Sequence, residues 1–171
     1  MRNAAMLLLC TSLLTCLPAS GQKVALFGGY QLTRLDFGNT SPFVGGTFTL
    51  NGWNASLTGG VAPFLGLTAD FSGAYDSGSK LHTYTFGPEV RVHIAGIRPF
   101  AHALIGGGTS SGPVSNGATS GLVMFYGGGL DVKAAPFVSV RPVQFDWMVT
   151  HWNSVTYKNN YRYSAGVVLT L

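Results

Sequence analysis

After residue 16 this chain of 171 residues contains no cysteine; Cys10 and Cys16 both lie near its start. That excludes disulfides, thiolate nucleophiles and cysteine metal ligation from everything downstream. Charge is almost as scarce. Asp, Glu, Lys and Arg make up 9% of the sequence, against about 25% in ordinary soluble domains. The formal net charge of +4 is too small for a nucleic-acid footprint, so no nucleic-acid partner is expected. Long apolar runs are missing too: beyond Gly21 none approaches the roughly 20 residues a membrane-spanning helix needs. His82, His93, His102 and His151 show no metal-ligand spacing. Neither a metal site nor a cofactor is expected.

What is present is apolar and aromatic. Hydrophobic residues make up 46% and aromatics 12%, with 24 glycines, a composition that excludes disorder. The start reads as an export signal: Arg2 is the positive n-region, Ala4 to Leu14 the apolar core, and Leu17-Pro18-Ala19-Ser20-Gly21 ends in small residues. Cleavage is expected after Gly21, dividing the chain into a signal peptide, 1–21, and one domain, 22–171. An exported, charge-poor, aromatic chain calls for a solvent other than water over much of its surface. Without a spanning helix, the way into a bilayer is strands closed into a barrel, because an open sheet leaves backbone groups unpaired in lipid.

The hydrophobic pattern agrees. Trp53, Ala55, Leu57 and Val61 alternate with Asn54, Ser56, Thr58 and Gly60, and Tyr161, Tyr163, Ala165, Val167 and Leu169 alternate with Arg162, Ser164, Gly166 and Thr170. Period two over ten residues or more marks strands of bilayer-crossing length. The polar face carries Ser, Thr, Asn and Gly rather than Lys and Glu, which suits a narrow lumen, so the expected arrangement is apolar outside, small and polar inside. Eight strands are predicted: Lys23–Arg34, Thr47–Val61, Leu65–Tyr75, Leu81–His93, Pro99–Gly107, Leu122–Lys133, Phe137–Thr150 and Asn160–Leu171. Long connections over Leu35–Gly46, Asp76–Lys80, Gly108–Gly121 and His151–Asn159 alternate with short ones at Ala62-Pro63, Ile94–Arg98 and Ala134–Pro136. In the seventh strand Val138 and Val140 share one parity, while Val143, Phe145 and Trp147 share the other. The phase slip at Pro142 predicts a β-bulge.

The strand charges fall on the inward parity. Asp70, Glu89, Arg91, Asp131, Arg141, Asp146 and Arg162 are expected to form a salt-bridged network filling the lumen, with His93 and His102 facing the same way. Pro-Phe pairs recur at Pro63, Pro99 and Pro136, one at each short connection. By parity Phe64, Phe100 and Phe137 are expected to close that mouth of the lumen, while Pro42-Phe43 falls in a loop outside the series.

In this pattern the chain resembles the small eight-stranded outer-membrane β-barrels of the OmpA/OmpX-like type, and VRPVQFDWMVT followed by NNYRYSAGVVLTL resembles their last hairpin. The resemblance implies an all-β, antiparallel up-and-down transmembrane barrel in the bacterial outer membrane, monomeric, with both termini periplasmic and the short turns on that side. It implies outer-membrane lipid, lipopolysaccharide and the barrel-assembly machinery as partners. Leu171 stands where such families end in an aromatic. The expected function is non-enzymatic, structural or binding through the loops. A small-solute pore is a variant of that reading. Two alternatives are a lipid A deacylase-like enzyme using His151, Ser154 and Asp146, and a soluble lipocalin-type barrel.

Overall fold

The computed structural model describes residues 23–36, 47–76, 78–111, 119–152 and 155–171. The expected signal segment, 1–21, lies outside the described residues, as do Pro42, Phe43 and Ser154. Eight strands follow in order: β1 Val24–Asp36, β2 Thr47–Ala62, β3 Leu65–Asp76, β4 Ser79–Arg91, β5 Ile97–Ser111, β6 Thr119–Lys133, β7 Val138–Trp152 and β8 Val155–Thr170. Each pairs antiparallel with its neighbours in sequence, and β8 returns to β1, with Leu26 opposite Leu169 and Arg34 opposite Tyr161. The sheet is a closed barrel. Closure leaves no strand edge, so every ladder finds its partner within the wall.

Alternation decides which side chains enter. In β4, Leu81, Thr83, Thr85 and Glu89 are buried, whereas Tyr84 and Phe86 between them are exposed. The usual distribution is inverted: among the described residues 21 polar or charged residues are buried but only 12 hydrophobic ones. Large side chains such as Phe86 and Leu67, 66% and 59% exposed, cover the outside. A continuous apolar exterior of this extent marks a surface meant to meet something other than water.

The interior is layered. We call the end near residues 23 and 171 the turn rim and the opposite end the loop rim. Toward the loop rim, Leu35, Leu50, Ala74, Leu81, Leu104, Val123, Phe125 and Met148 form an apolar cluster against which Trp152 packs. A smaller cluster of Ala25, Phe27 and Val168 lies toward the turn rim. Charged residues occupy the length between.

The β-bulge is present in β7. Against β8, Arg141 pairs with Gly166 and Gln144 with Ser164, so Pro142 and Val143 oppose one residue, Ala165. Pro142 has no ladder partner on either side, which is where proline costs nothing. The extra residue lets Arg141 and Asp146 both point inward, at 2% and 0% exposure.

Several expected boundaries shift. The eighth strand begins at Val155 and not Asn160, and His151 and Trp152 pair with Thr156 and Val155, so the long connection expected over His151–Asn159 is a short one. A second irregularity in register between Met148 and Thr150 absorbs the change of phase there. The fifth strand runs on to Ser111, and the fourth ends at Arg91, leaving His93 outside the ladder. Between them Ile94 and Ile97 exchange both backbone hydrogen bonds at 2.8 Å, around Ala95 at φ 41° and Gly96 at φ 89°. Two positive φ values in a two-residue turn match the right-handed twist of the flanking strands. Pro99 consequently lies inside β5, opposite Leu130, and not in a turn.

Candidate functional site

The inward parity of five strands brings the predicted charges together. Arg162 of β8 directs Nη1 to Asp70 Oδ1 at 2.7 Å, Nη2 to Asp70 Oδ2 at 3.2 Å, and Nε to Asp146 Oδ2 at 2.8 Å. Its guanidinium lies 3.9 Å from the Phe125 ring centroid, where the charged layer meets the apolar one. Arg141 binds Asp131 through Nε at 2.7 Å and Nη2 at 3.2 Å and donates to Gln144 Oε1 at 2.7 Å. Its guanidinium is held between Phe27 and Phe100, 4.3 and 4.1 Å from the ring centroids. Arg91 pairs with Glu89 at 2.5 Å and reaches Asp131 at 3.7 Å. The seven residues thus form two groups, Arg162 with Asp70 and Asp146, and Arg141 and Arg91 with Asp131 and Glu89, which Gln144 links by accepting from Arg141 and donating to Asp146.

Further side chains complete the network. His102 places Nε2 2.7 Å from Asp146 Oδ1 and Nδ1 4.0 Å from Glu89 Oε2, bridging the two halves. Gln144 donates to Asp146 at 2.8 Å, Asn54 to Asp70 at 2.8 Å, and Thr68 to Glu89 at 3.1 Å. Buried charges persist only when paired and hydrogen-bonded in this way. Gly127 faces the same space: any side chain there meets the backbone of Asp146, so that position admits glycine alone beside the carboxylate.

The three phenylalanines separate. Phe100 is buried, its ring stacked on Arg141. Phe64 and Phe137 are 63% and 70% exposed, and neither closes the mouth. Phe64 sits in the β2–β3 turn and Phe137 precedes β7, so neither is bound by the parity of a ladder. The turn rim instead opens into a cavity of about 510 Å³, with Phe64 on its border and Glu89, Arg91, His93 and Arg98 among its lining.

Chemically the lumen is committed to itself. Asp146 accepts from His102, Gln144 and Arg162 together, which leaves it no role as an orienting acid for His151. His151 is exposed at the loop rim, 2.8 Å from Thr156 Oγ1. Its expected companion Ser154 is outside the described residues. Among the described residues no cluster of three or more His, Cys, Asp and Glu is disposed to hold a metal ion.

The apolar layer was not anticipated, although its signal is in the chain: Val123 and Phe125 share the parity of Gly127, Gly129 and Asp131. Parity alone assigns them inward, against the general rule of small and polar inside.

No protein-family model matches the chain, and no curated protein matches it. Solved structures do. Neisserial surface protein A superposes with a TM-score of 0.68 at 14% identity, over 91% of this chain and 100% of that one. The N-terminal β-barrel domain of Pseudomonas aeruginosa OprF gives 0.60 at 13%, over 88% and 97%. Ail, the attachment invasion locus protein of Yersinia pestis, gives 0.56 at 14%, over 87% and 98%. Identity this low carries the fold and nothing more: the chain has the closed eight-stranded antiparallel barrel of the small outer-membrane proteins.

Proposed function

We propose that this protein is a non-enzymatic outer-membrane β-barrel, exported by its N-terminal signal and inserted with both termini in the periplasm. The observation that carries the reading is the inverted wall: buried side chains are mostly polar, and Leu, Phe, Tyr and Trp cover the exterior. Leaving such an exterior in water would be unfavourable by about 25 cal/mol for each apolar Å², whereas a bilayer accepts it. A soluble lipocalin-type barrel would need the reverse pattern.

The lumen acts as a plug. Paired charges fill its middle, and the apolar layer closes it toward the loop rim, so the barrel serves as a scaffold and recognition at the loop rim falls to the loops. Residues 37–46 and 112–118, rich in Gly, Ser, Thr and Asn, join strands at that rim. Ail has been solved in complex with sucrose octasulfate, a heparin analogue, which gives a precedent for ligand binding by a barrel of this fold. Lipid and lipopolysaccharide meet the exterior, and the barrel-assembly machinery receives β8, whose Val167 and Leu169 face outward.

The test is gel migration of outer-membrane fractions before and after boiling. A band that shifts on heating, found with the outer membrane, is the expected result. Protein that stays soluble without detergent would overturn the reading.

A further inference from the structure

The cavity at the turn rim has two unlike linings. The β2–β3 turn contributes Val61, Pro63, Phe64 and Leu65, while the end of β4 and the start of β5 contribute Arg91, His93 and Arg98, joined by Lys23. Glu89 is the single carboxylate among the described lining residues, and it is already engaged by Arg91 at 2.5 Å and Thr68 at 3.1 Å. Arg98 donates to Ser139 Oγ, a neutral acceptor. Neither Arg98 nor Lys23 has a carboxylate within ion-pair distance among the described residues.

Two further features lie at the edge of this space. Arg91 Nε is buried and has no hydrogen-bond acceptor. The His93 imidazole is held below its usual pKa, first by burial and then by Arg98, Lys23 and Arg91, so three cations act on one spot. Asp131, 3.7 Å from Arg91 and opposite Arg98 in the ladder, offsets part of this field but is also bound by Arg141 through Nε and Nη2. Lys23 and Arg98, cations without an ion-pair partner among the described residues, lie at the mouth of a low-dielectric barrel, where such charges attract anions strongly.

We propose that this vestibule binds a small amphiphilic anion, a phosphate or carboxylate head on an apolar ring or short chain. The head meets Arg91, Arg98 and Lys23, whose guanidinium forks and ammonium suit such oxygens. The apolar part lies against Phe64 and Pro63. A cavity of about 510 Å³ exceeds what a bare phosphate fills and lies within the usual range of small-molecule sites.

The test is calorimetric titration of the full barrel, folded in neutral detergent, with phenyl phosphate, inorganic phosphate and phenol. Phenyl phosphate is expected to bind more tightly than either of the others. The double variant Lys23→Gln, Arg98→Gln weakens it by about tenfold or more, the scale of losing charge-assisted hydrogen bonds. Lys80→Gln, at the loop rim, leaves it unchanged. Phe64→Ala weakens phenyl phosphate and spares inorganic phosphate. Absence of binding, binding unaltered in the double variant, or inorganic phosphate matching phenyl phosphate would each overturn the inference. Heat-shifted gel migration of every variant separates loss of binding from loss of folding, and a folded barrel that binds nothing leaves the proposed function standing.

Discussion

Arg162 of β8 and Asp70 of β3 are 92 residues apart in sequence, yet the guanidinium meets the carboxylate at 2.7 and 3.2 Å inside the barrel. The pair crosses the lumen, since β8 and β3 are not neighbours in the wall. Asp146 of β7 takes the remaining face of the same guanidinium, so one arginine compensates two carboxylates.

Replacing Arg162 therefore removes the cation that compensates two buried carboxylates, leaving them only Asn54, His102 and Gln144. Arg162→Met is expected to destabilise the barrel by about 3–5 kcal/mol, the usual cost of orphaning a buried ion. Adding Asp70→Asn and Asp146→Asn to it recovers part of the loss. Denaturant unfolding in detergent micelles measures both, and a loss below about 1 kcal/mol in the single variant would place this network among the ornamental ones.

The bulge in β7 makes a second, sharper demand. Deleting Pro142 shifts the residues before it by one position, and a one-residue slip moves each side chain to the opposite face. Arg141 and Ser139 would turn outward and Val140 inward. The deletion is expected to abolish the compact, heat-shifted gel band, whereas Pro142→Val retains it because that position pairs with neither neighbour. A folded deletion variant would refute the link between the bulge and the inward placement of Arg141.

If two dissimilar layers block the lumen, as proposed, weakening one of them does not open it. The protein is expected to show no steady conductance in a planar bilayer. Neutralising the Arg162–Asp70 pair with Asp70→Asn and Arg162→Gln leaves it closed, since Leu104, Val123 and Phe125 still fill the barrel toward the loop rim. Discrete current steps from that variant would show that the charged layer alone is the barrier.

Much of this was legible in the chain. Period-two alternation located eight strands to within a few residues for most ends, because a residue's face in a strand depends only on its neighbours one and two positions away. The same arithmetic put Asp70, Glu89, Arg91, Asp131, Arg141, Asp146 and Arg162 inside. It failed where the ladder stops: Phe64 and Phe137 have inward parity but lie in connections, where backbone direction is set by turn geometry and not by pleat. It also misjudged His151–Asn159, whose polar residues read as a loop although β7 and β8 carry on through most of that stretch.

Sequence by itself determined the class of this molecule: scarce charge, absent spanning helices and clean alternation leave a closed barrel with an apolar exterior, because backbone groups in lipid must all be paired. It could not determine who meets whom across the lumen. Which carboxylate Arg162 takes, how Arg141 comes to lie between Phe27 and Phe100, and where Lys23, Arg91 and Arg98 converge depend on strand stagger and on the bulge at Pro142. Those are properties of the closed wall as a whole, in which a side chain's height and bearing are set by all eight strands at once.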